Sequence, residues 1–168
     1  MQIRLNALLA ALLACATVPA KPQVQDNLAV PAGNRLRLRA LAKGVQSYTC
    51  QATADRSWAW AFTGPKADLY DDSGAQIGSH FAGPAWQLAD GSKVVGAVKE
   101  KASSPEGSIP WLLLEVKSSQ GQGKLEGVTF IQRIDTRRGT APTEACTAAL
   151  ANTSRNQDYT ATYLFYGP

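Results

Sequence analysis

The sequence predicts an all-β protein, a single antiparallel β-sandwich or closed barrel of about nine strands. Short runs of β-branched and aromatic residues recur along the chain, and each run ends at a cluster of Gly, Asp or Pro. The last run, Tyr159 to Tyr166, has a period of two, as a half-buried strand does. Periodicity does not separate a sandwich from a barrel, so both architectures stay open.

Hairpin turns provide the most specific local signals. Asp90-Gly91 separates the runs Trp86–Ala89 and Ser92–Val98, and Asp-Gly between two such runs favours a tight turn. The other strands are predicted at 35–42 and 45–52 around Lys43-Gly44, at 58–62, at 67–70 and 75–81 around the turn 71–74, at 109–116, at 127–134 and at 159–166. The segment 141–153 is the one place where a short helix is expected.

The first twenty residues resemble a secretory signal peptide, because Arg4 precedes an apolar run that ends in small residues. Two processing routes are open. Leu12-Leu13-Ala14-Cys15 resembles a bacterial lipobox, in which Cys15 is acylated and anchors the chain to a membrane. Val18-Pro19-Ala20 instead supplies the small residues that an ordinary signal peptidase reads, which would release a soluble protein.

The domain organisation follows from this assignment. Residues 1–20 are predicted to be the signal peptide, residues 21–34 a spacer, and residues 35–168 a single β domain. We expect an exported protein that resides in the periplasm, at the outer membrane if it is lipidated, or outside the cell. A membrane contact is expected only through the lipid anchor.

Either processing route removes Cys15 from the pool of thiols, which leaves Cys50 and Cys146 as a pair. In an oxidising compartment the expected state of such a pair is a disulfide. No metal site is predicted, because the chain has a single His and no Cys-x-x-Cys.

The net charge of +4 is too small and too dispersed to predict a nucleic-acid surface. Arg35, Arg37 and Arg39 alternate with leucines, which is typical of the solvated face of a half-buried strand.

Four segments resemble, in order and spacing, a family of uncharacterised secreted proteins from fungi and bacteria. They are Tyr70–Trp86, Asp90–Ser92, Ile109–Leu114 and Ile131–Thr136. The family is catalogued as a domain of unknown function, and its members often carry the label "malate dehydrogenase". The resemblance extends from about Val45 to the end of the chain. It implies no catalytic residues.

The residues do not support the dehydrogenase label. A dinucleotide-binding turn leads from a strand into a helix, whose N-terminal amides hold the pyrophosphate. Here Gly121-Gln122-Gly123 follows the strand Trp111–Val116, but Gly127 comes one position late for the motif and the next segment is predicted to be a strand. No cofactor is therefore expected.

The segment 71–92 contains the candidate site. His80, the only histidine, is flanked in sequence by Asp71, Asp72 and Asp90 and lies close to Trp86. We expect His80, Trp86, Asp71 and Asp72 to contribute to ligand binding, and His80 with Asp90 to be the candidate catalytic pair. The alternative for His80 is a ring that packs against Trp86 or hydrogen-bonds a turn carbonyl.

Three functions remain open at this stage. The first is an exported β domain that binds a small molecule, glycan or envelope component near residues 71–92; the second is a secreted hydrolase that uses His80 with a carboxylate; the third is a structural surface protein without a ligand. Aromatic residues that could stack on a flat ligand are Trp58, Trp60, Trp86, Trp111, Tyr48, Tyr70 and Tyr163. Most of them are expected in the core, with Trp86 as the exception. The sequence predicts no oligomeric state.

Overall fold

The computed structural model describes residues 25–168 as eight antiparallel strands closed into one barrel. The strands follow one another around the barrel in chain order, and the last strand pairs with the first. They are β1 (Arg35–Ala52), β2 (Trp58–Tyr70), β3 (Gln76–Phe81), β4 (Ala85–Leu88), β5 (Lys93–Ala102), β6 (Trp111–Gln120), β7 (Phe130–Arg138) and β8 (Ser154–Gly167). The all-β prediction is confirmed, with the closed barrel as the architecture. The predicted signal peptide and Cys15 lie outside the described residues.

Among the predicted segments, 35–42 and 45–52 form one continuous strand, as do 58–62 and 67–70, so the barrel has eight strands where about nine are expected. β1 passes straight through Lys43-Gly44, which the sequence predicts to be a turn. Gly44 is required there because β2 comes too close for a side chain: a Cβ on Gly44 would lie 2.2 Å from the carbonyl oxygen of Lys66. β2 in turn continues through Gly64-Pro65, opposite a bulge in its pairing with β1.

The connection between β7 and β8 is held at the end of β1 by a disulfide. Cys50 and Cys146 are bonded, as the sequence predicts, and they are 96 positions apart. The hydroxyl of Tyr48 donates a hydrogen bond to the carbonyl oxygen of Gly139, 2.8 Å away, at the start of the same connection. In place of the helix expected at 141–153 the structure has a single 3-10 turn, Ala148–Leu150. Within residues 25–168 no helix has the length and apolar character needed to cross a membrane.

One end of the barrel is closed by the connection between β6 and β7. Leu125 and Val128 from this connection are buried in the main core. Two hydrogen bonds fasten it to the β4–β5 turn: the amide of Lys124 donates to a carboxylate oxygen of Asp90 over 2.8 Å, and the amide of Leu125 donates to Oγ of Ser92 over 3.2 Å.

The N-terminal segment before β1 lies on the outside of the barrel wall. Leu28 is fully buried in a second apolar cluster, and its carbonyl oxygen accepts a hydrogen bond of 2.7 Å from Nε2 of Gln132. The side-chain amides of Gln25 and Asn27 donate to the carbonyl oxygens of Ser103 and Lys101. The described part of the predicted spacer is thus fastened to the barrel. The buried members of this cluster are Leu28, Ala102, Trp111, Leu113 and Ile134.

The double substitution Cys50→Ala, Cys146→Ala should lower the free energy of unfolding by about 2 to 4 kcal/mol, because it frees a closed loop of roughly one hundred residues in the unfolded chain. Urea denaturation followed by circular dichroism measures the loss. Urea curves that coincide for the oxidised wild type and the double variant would contradict the assignment.

Candidate functional site

The barrel holds a cavity of about 480 Å³ that opens at the end opposite Leu125. Its mouth lies between the β3–β4 turn at residues 82–84, the Gly64-Pro65 bulge and the start of β6 at Ile109-Pro110. Two apolar side chains at the mouth are unusually exposed, Phe62 at 53% and Val98 at 46%. The volume lies within the range of small-molecule pockets, which is about 300 to 1,000 Å³.

His80 and Trp86 form a stacked pair in the wall of this cavity. They are cross-strand partners on β3 and β4, and their ring centroids are 4.4 Å apart with an interplanar angle of 11°. The ring of Tyr163 meets His80 edge-on, with the centroids 4.9 Å apart. Nδ1 of His80 is 2.9 Å from the carbonyl oxygen of Ala85. Because a carbonyl oxygen only accepts, Nδ1 donates and Nε2 of the neutral ring is left as an acceptor.

Burial keeps His80 neutral. The side chain is only 2% exposed. Removal from water lowers the pKa of His80 to about 3; the hydrogen bond to Ala85 opposes this shift and the positive charge of Arg133 adds to it. His80 is therefore uncharged at physiological pH.

Further polar side chains line the cavity, namely Gln46, Tyr48, Thr63, Lys101, Arg133 and Tyr163. Gln46 is 2% exposed and Tyr163 is 1% exposed, yet Nε2 of Gln46 and the hydroxyl of Tyr163 have no hydrogen-bond partner among residues 25–168. Arg133 is the cross-strand neighbour of Tyr163. Its Nε and Nη2 both donate to the carbonyl oxygen of Pro110, over 3.1 and 2.8 Å. Within the described range no carboxylate lies within ion-pair distance of Arg133.

The structure places the three candidate aspartates outside the cavity lining. Asp71 accepts hydrogen bonds from the amides of Ser73 and Ala75 and from the hydroxyl of Ser73, within its own turn. These bonds, with that from the Ser73 hydroxyl first, lower the pKa of Asp71. Asp72 forms an exposed ion pair with Arg39.

Asp90 helps to close the opposite end of the barrel. The amide of Lys124 and the hydroxyl and amide of Ser92 donate to its carboxylate, and in that order they hold its pKa below the ordinary value. In the part of the chain that the structure describes, His80 has no hydrogen bond to a carboxylate. The pair His80 and Asp90 is thus not assembled in this structure.

The aromatic residues are divided between the barrel interior and its outer wall. Trp86 is fully buried, so its expected exposure is wrong, although its ring lines the cavity. Trp60 lies outside, where Nε1 donates to the carbonyl oxygen of Glu144 and the guanidinium of Arg155 lies over the ring at 5.6 Å. Trp111 belongs to the outer apolar cluster.

Gln46 and Arg133 were not among the residues that the sequence singled out. The signal that could have found Arg133 is its parity with Ile131, since alternate residues of a strand face the same side and Ile131 is fully buried in the interior core. Gln46 shares its parity with Ala40 and Ala42 in the same way.

Residues 25–168 contain no group of three or more His, Cys, Asp or Glu side chains placed to hold a metal ion. The donors and acceptors that line the cavity are instead the side-chain groups of Gln46, Tyr48, Thr63, His80, Trp86, Lys101, Arg133 and Tyr163. The lining includes no Asp or Glu from the described part of the chain.

Comparison with known proteins identifies one sequence family. The family described as "Protein of unknown function (DUF3455)" matches residues 31–167, which span the whole barrel. The match confirms the resemblance to a family of unknown function and attaches no activity to it. No curated protein and no solved structure matches the chain.

The substitution His80→Phe should flatten the loss of stability on acidification. In the unfolded chain His80 takes up a proton near pH 6.5, whereas the folded protein resists protonation down to about pH 3. The unfolded state thus binds more protons in this window, and the wild type should lose up to about 1.4 kcal/mol per pH unit as the pH falls.

Urea denaturation of both proteins at several values between about pH 6.5 and pH 4 measures the difference in slope. Acidic side chains titrate equally in the two proteins, and no other histidine contributes because the chain has only one. Stability profiles that run parallel for the two proteins would contradict a buried neutral His80.

Proposed function

We propose that this chain, which belongs to the family of proteins of unknown function DUF3455, binds a small and largely apolar molecule inside its barrel. The observation that carries the proposal is the open cavity of about 480 Å³. Eight-stranded barrels have interiors just wide enough to be filled by side chains or to hold one small ligand. Here the side chains leave part of the interior empty and accessible.

The chemistry of the walls favours an apolar body. Leu112, Leu114, Ile109 and the flat ring of Trp86 contribute to the lining. Burying an apolar molecule against such walls is favourable by about 25 cal/mol per Å² removed from water. A glycan fits less well, because each buried hydroxyl needs a hydrogen-bond partner and apolar residues outnumber polar ones in the lining.

Only the middle of the segment 71–92 contributes to the proposed site. His80, residues 82–84 and Trp86 line the cavity, whereas Asp71 and Asp72 are in a turn at the other end of the barrel. The contribution of this segment is thus one wall of the pocket and part of its mouth.

A hydrolase that uses His80 receives less support. A general base needs a pKa near the working pH and access to the proton it removes. The pKa of His80 is far below neutral pH, and its buried ring is hydrogen-bonded through Nδ1 to the carbonyl oxygen of Ala85. A purely structural role leaves the cavity unexplained, because unfilled apolar space costs stability.

We also propose that the protein is exported, which the disulfide between Cys50 and Cys146 supports. Mass spectrometry of protein purified from its native cells should find a chain that begins either at a lipid-modified Cys15 or at Lys21. A mature chain that still begins at Met1 would contradict export.

The substitution Val98→Trp should weaken ligand binding by about tenfold or more, because a large ring at the mouth occupies space that the ligand needs. Binding is measured with the neutral dye N-phenyl-1-naphthylamine, whose fluorescence rises in apolar surroundings, and by its displacement with 1-decanol. Val98 is half exposed, so the variant should fold, and its thermal melting midpoint checks this.

The matched control is Leu36→Trp, which introduces the same ring at an exposed position near the closed end of the barrel. It should bind dye and alcohol as the wild type does. Failure of the wild type to bind either compound would overturn the proposed function, and equal binding by all three proteins would move the site out of the cavity.

A further inference from the structure

We propose that the ligand carries a carboxylate, which Arg133 binds together with Gln46 and Tyr163 inside the barrel. The inference rests on the proposed binding function and names the chemical class of the ligand: a monocarboxylic acid with an apolar body.

The first support is the charge of the cavity. Arg133 and Lys101 are its only charged lining residues among those the structure describes, and both are cations. Partly removing a guanidinium from water costs free energy, and no acid in the described chain is paired with Arg133 to offset that cost. Its Nε and Nη2 donate to the carbonyl oxygen of Pro110, and its charge acts on the hydroxyl of Tyr163. Nη1 makes no hydrogen bond to a carbonyl or carboxylate of residues 25–168, so it can bond an anion that enters the cavity.

The second support is independent of charge. Nε2 of Gln46 and the hydroxyl of Tyr163 are buried donors that make no well-formed hydrogen bond within the described chain, although the hydroxyl of Tyr159 lies beside both and Arg133 lies beside Tyr163. Both residues line the same cavity as Arg133. Buried polar groups are nearly always satisfied, so an unsatisfied pair facing an open cavity indicates a partner that is not part of the chain. Water that enters through the mouth can serve in the empty protein, and an acceptor-rich ligand group can replace it.

The geometry of the strands brings these donors together. Tyr163 on β8 is paired directly with Arg133 on β7. The carbonyl oxygen of Pro110 fixes the guanidinium through Nε and Nη2, which limits the freedom that Arg133 would lose on binding. A carboxylate has two oxygens and accepts several hydrogen bonds, which matches a group of donors of this kind.

The Arg133 position is tested with two ligands of equal chain length, decanoic acid and 1-decanol, at a pH where the acid is ionised. In the wild type, the acid should bind at least about tenfold more tightly than the alcohol, as measured by displacement of N-phenyl-1-naphthylamine. Arg133→Met should abolish this preference while retaining alcohol binding. Arg137→Met, which removes an exposed cation from the same strand, is the matched control and should keep the preference.

A second variant covers the case in which Arg133→Met fails to fold. Tyr163→Phe removes only a hydroxyl that makes no well-formed hydrogen bond in the described chain, so the empty protein should be about as stable as the wild type. Its preference for the acid should nevertheless fall severalfold. A loss of acid binding without a loss of thermal stability distinguishes a ligand contact from a structural role.

The outcomes separate this inference from the proposed function. If the wild type binds acid and alcohol with equal affinity, the carboxylate is not recognised and the inference is overturned, while the barrel remains a binding site. If neither compound binds, both proposals are lost. An acid preference that survives both Arg133→Met and Tyr163→Phe also overturns the assignment to these residues.

Discussion

Closing eight antiparallel strands into a barrel creates an interior that only inward-facing side chains can fill. In this protein the inward positions are divided unevenly between small and large residues. The ring of Trp86 lies over Gly96, where a Cβ would be 3.3 Å from it. Gly96 therefore lets this large ring pack tightly in one part of the interior. Towards the mouth, this filling ends and the cavity begins.

The boundary between the packed interior and the cavity is polar. His80, Gln46 and Tyr163 are among the most buried residues of the lining, and Arg133 is the neighbour of Tyr163 on the next strand. A folded protein that needed only a stable core would gain from apolar residues at these positions, since unsatisfied buried donors cost about 1 to 3 kcal/mol each. Under the proposed binding function, these polar residues would lower the stability of the empty protein and gain partners when a ligand enters.

Much of the fold could be predicted because its signals are local. The Asp90-Gly91 hairpin, the Cys50–Cys146 pair and the strand parity of β8 all follow from short stretches of sequence. The prediction of a turn at Lys43-Gly44 is wrong, because a glycine that permits close contact between strands looks the same in sequence as one that permits a turn. Only the neighbouring strand distinguishes the two, and its position depends on the closure of the whole barrel.

The candidate site was predictable only in part for the same reason. His80 and Trp86 are near in sequence and lie opposite each other across a short turn, so their association could be foreseen. Gln46, Arg133 and Tyr163 come from β1, β7 and β8, and barrel closure alone makes them line one cavity. Conversely, Asp71, Asp72 and Asp90 are near His80 in sequence but belong to turns at the closed end of the barrel. The six residues of β3 separate the turn of Asp71 and Asp72 from the β3–β4 turn at the mouth, which follows His80.

The N-terminal segment from Gln25 to Asn34 runs along the outside of the barrel from one end to the other. Gln25 is hydrogen-bonded to Ser103 and Asn27 to Lys101, beside the opening, whereas Asn34 bonds Thr129 at the closed base. The polypeptide thus enters the domain on the same side as the entrance to its cavity. A group joined directly before Gln25 would therefore start beside that entrance.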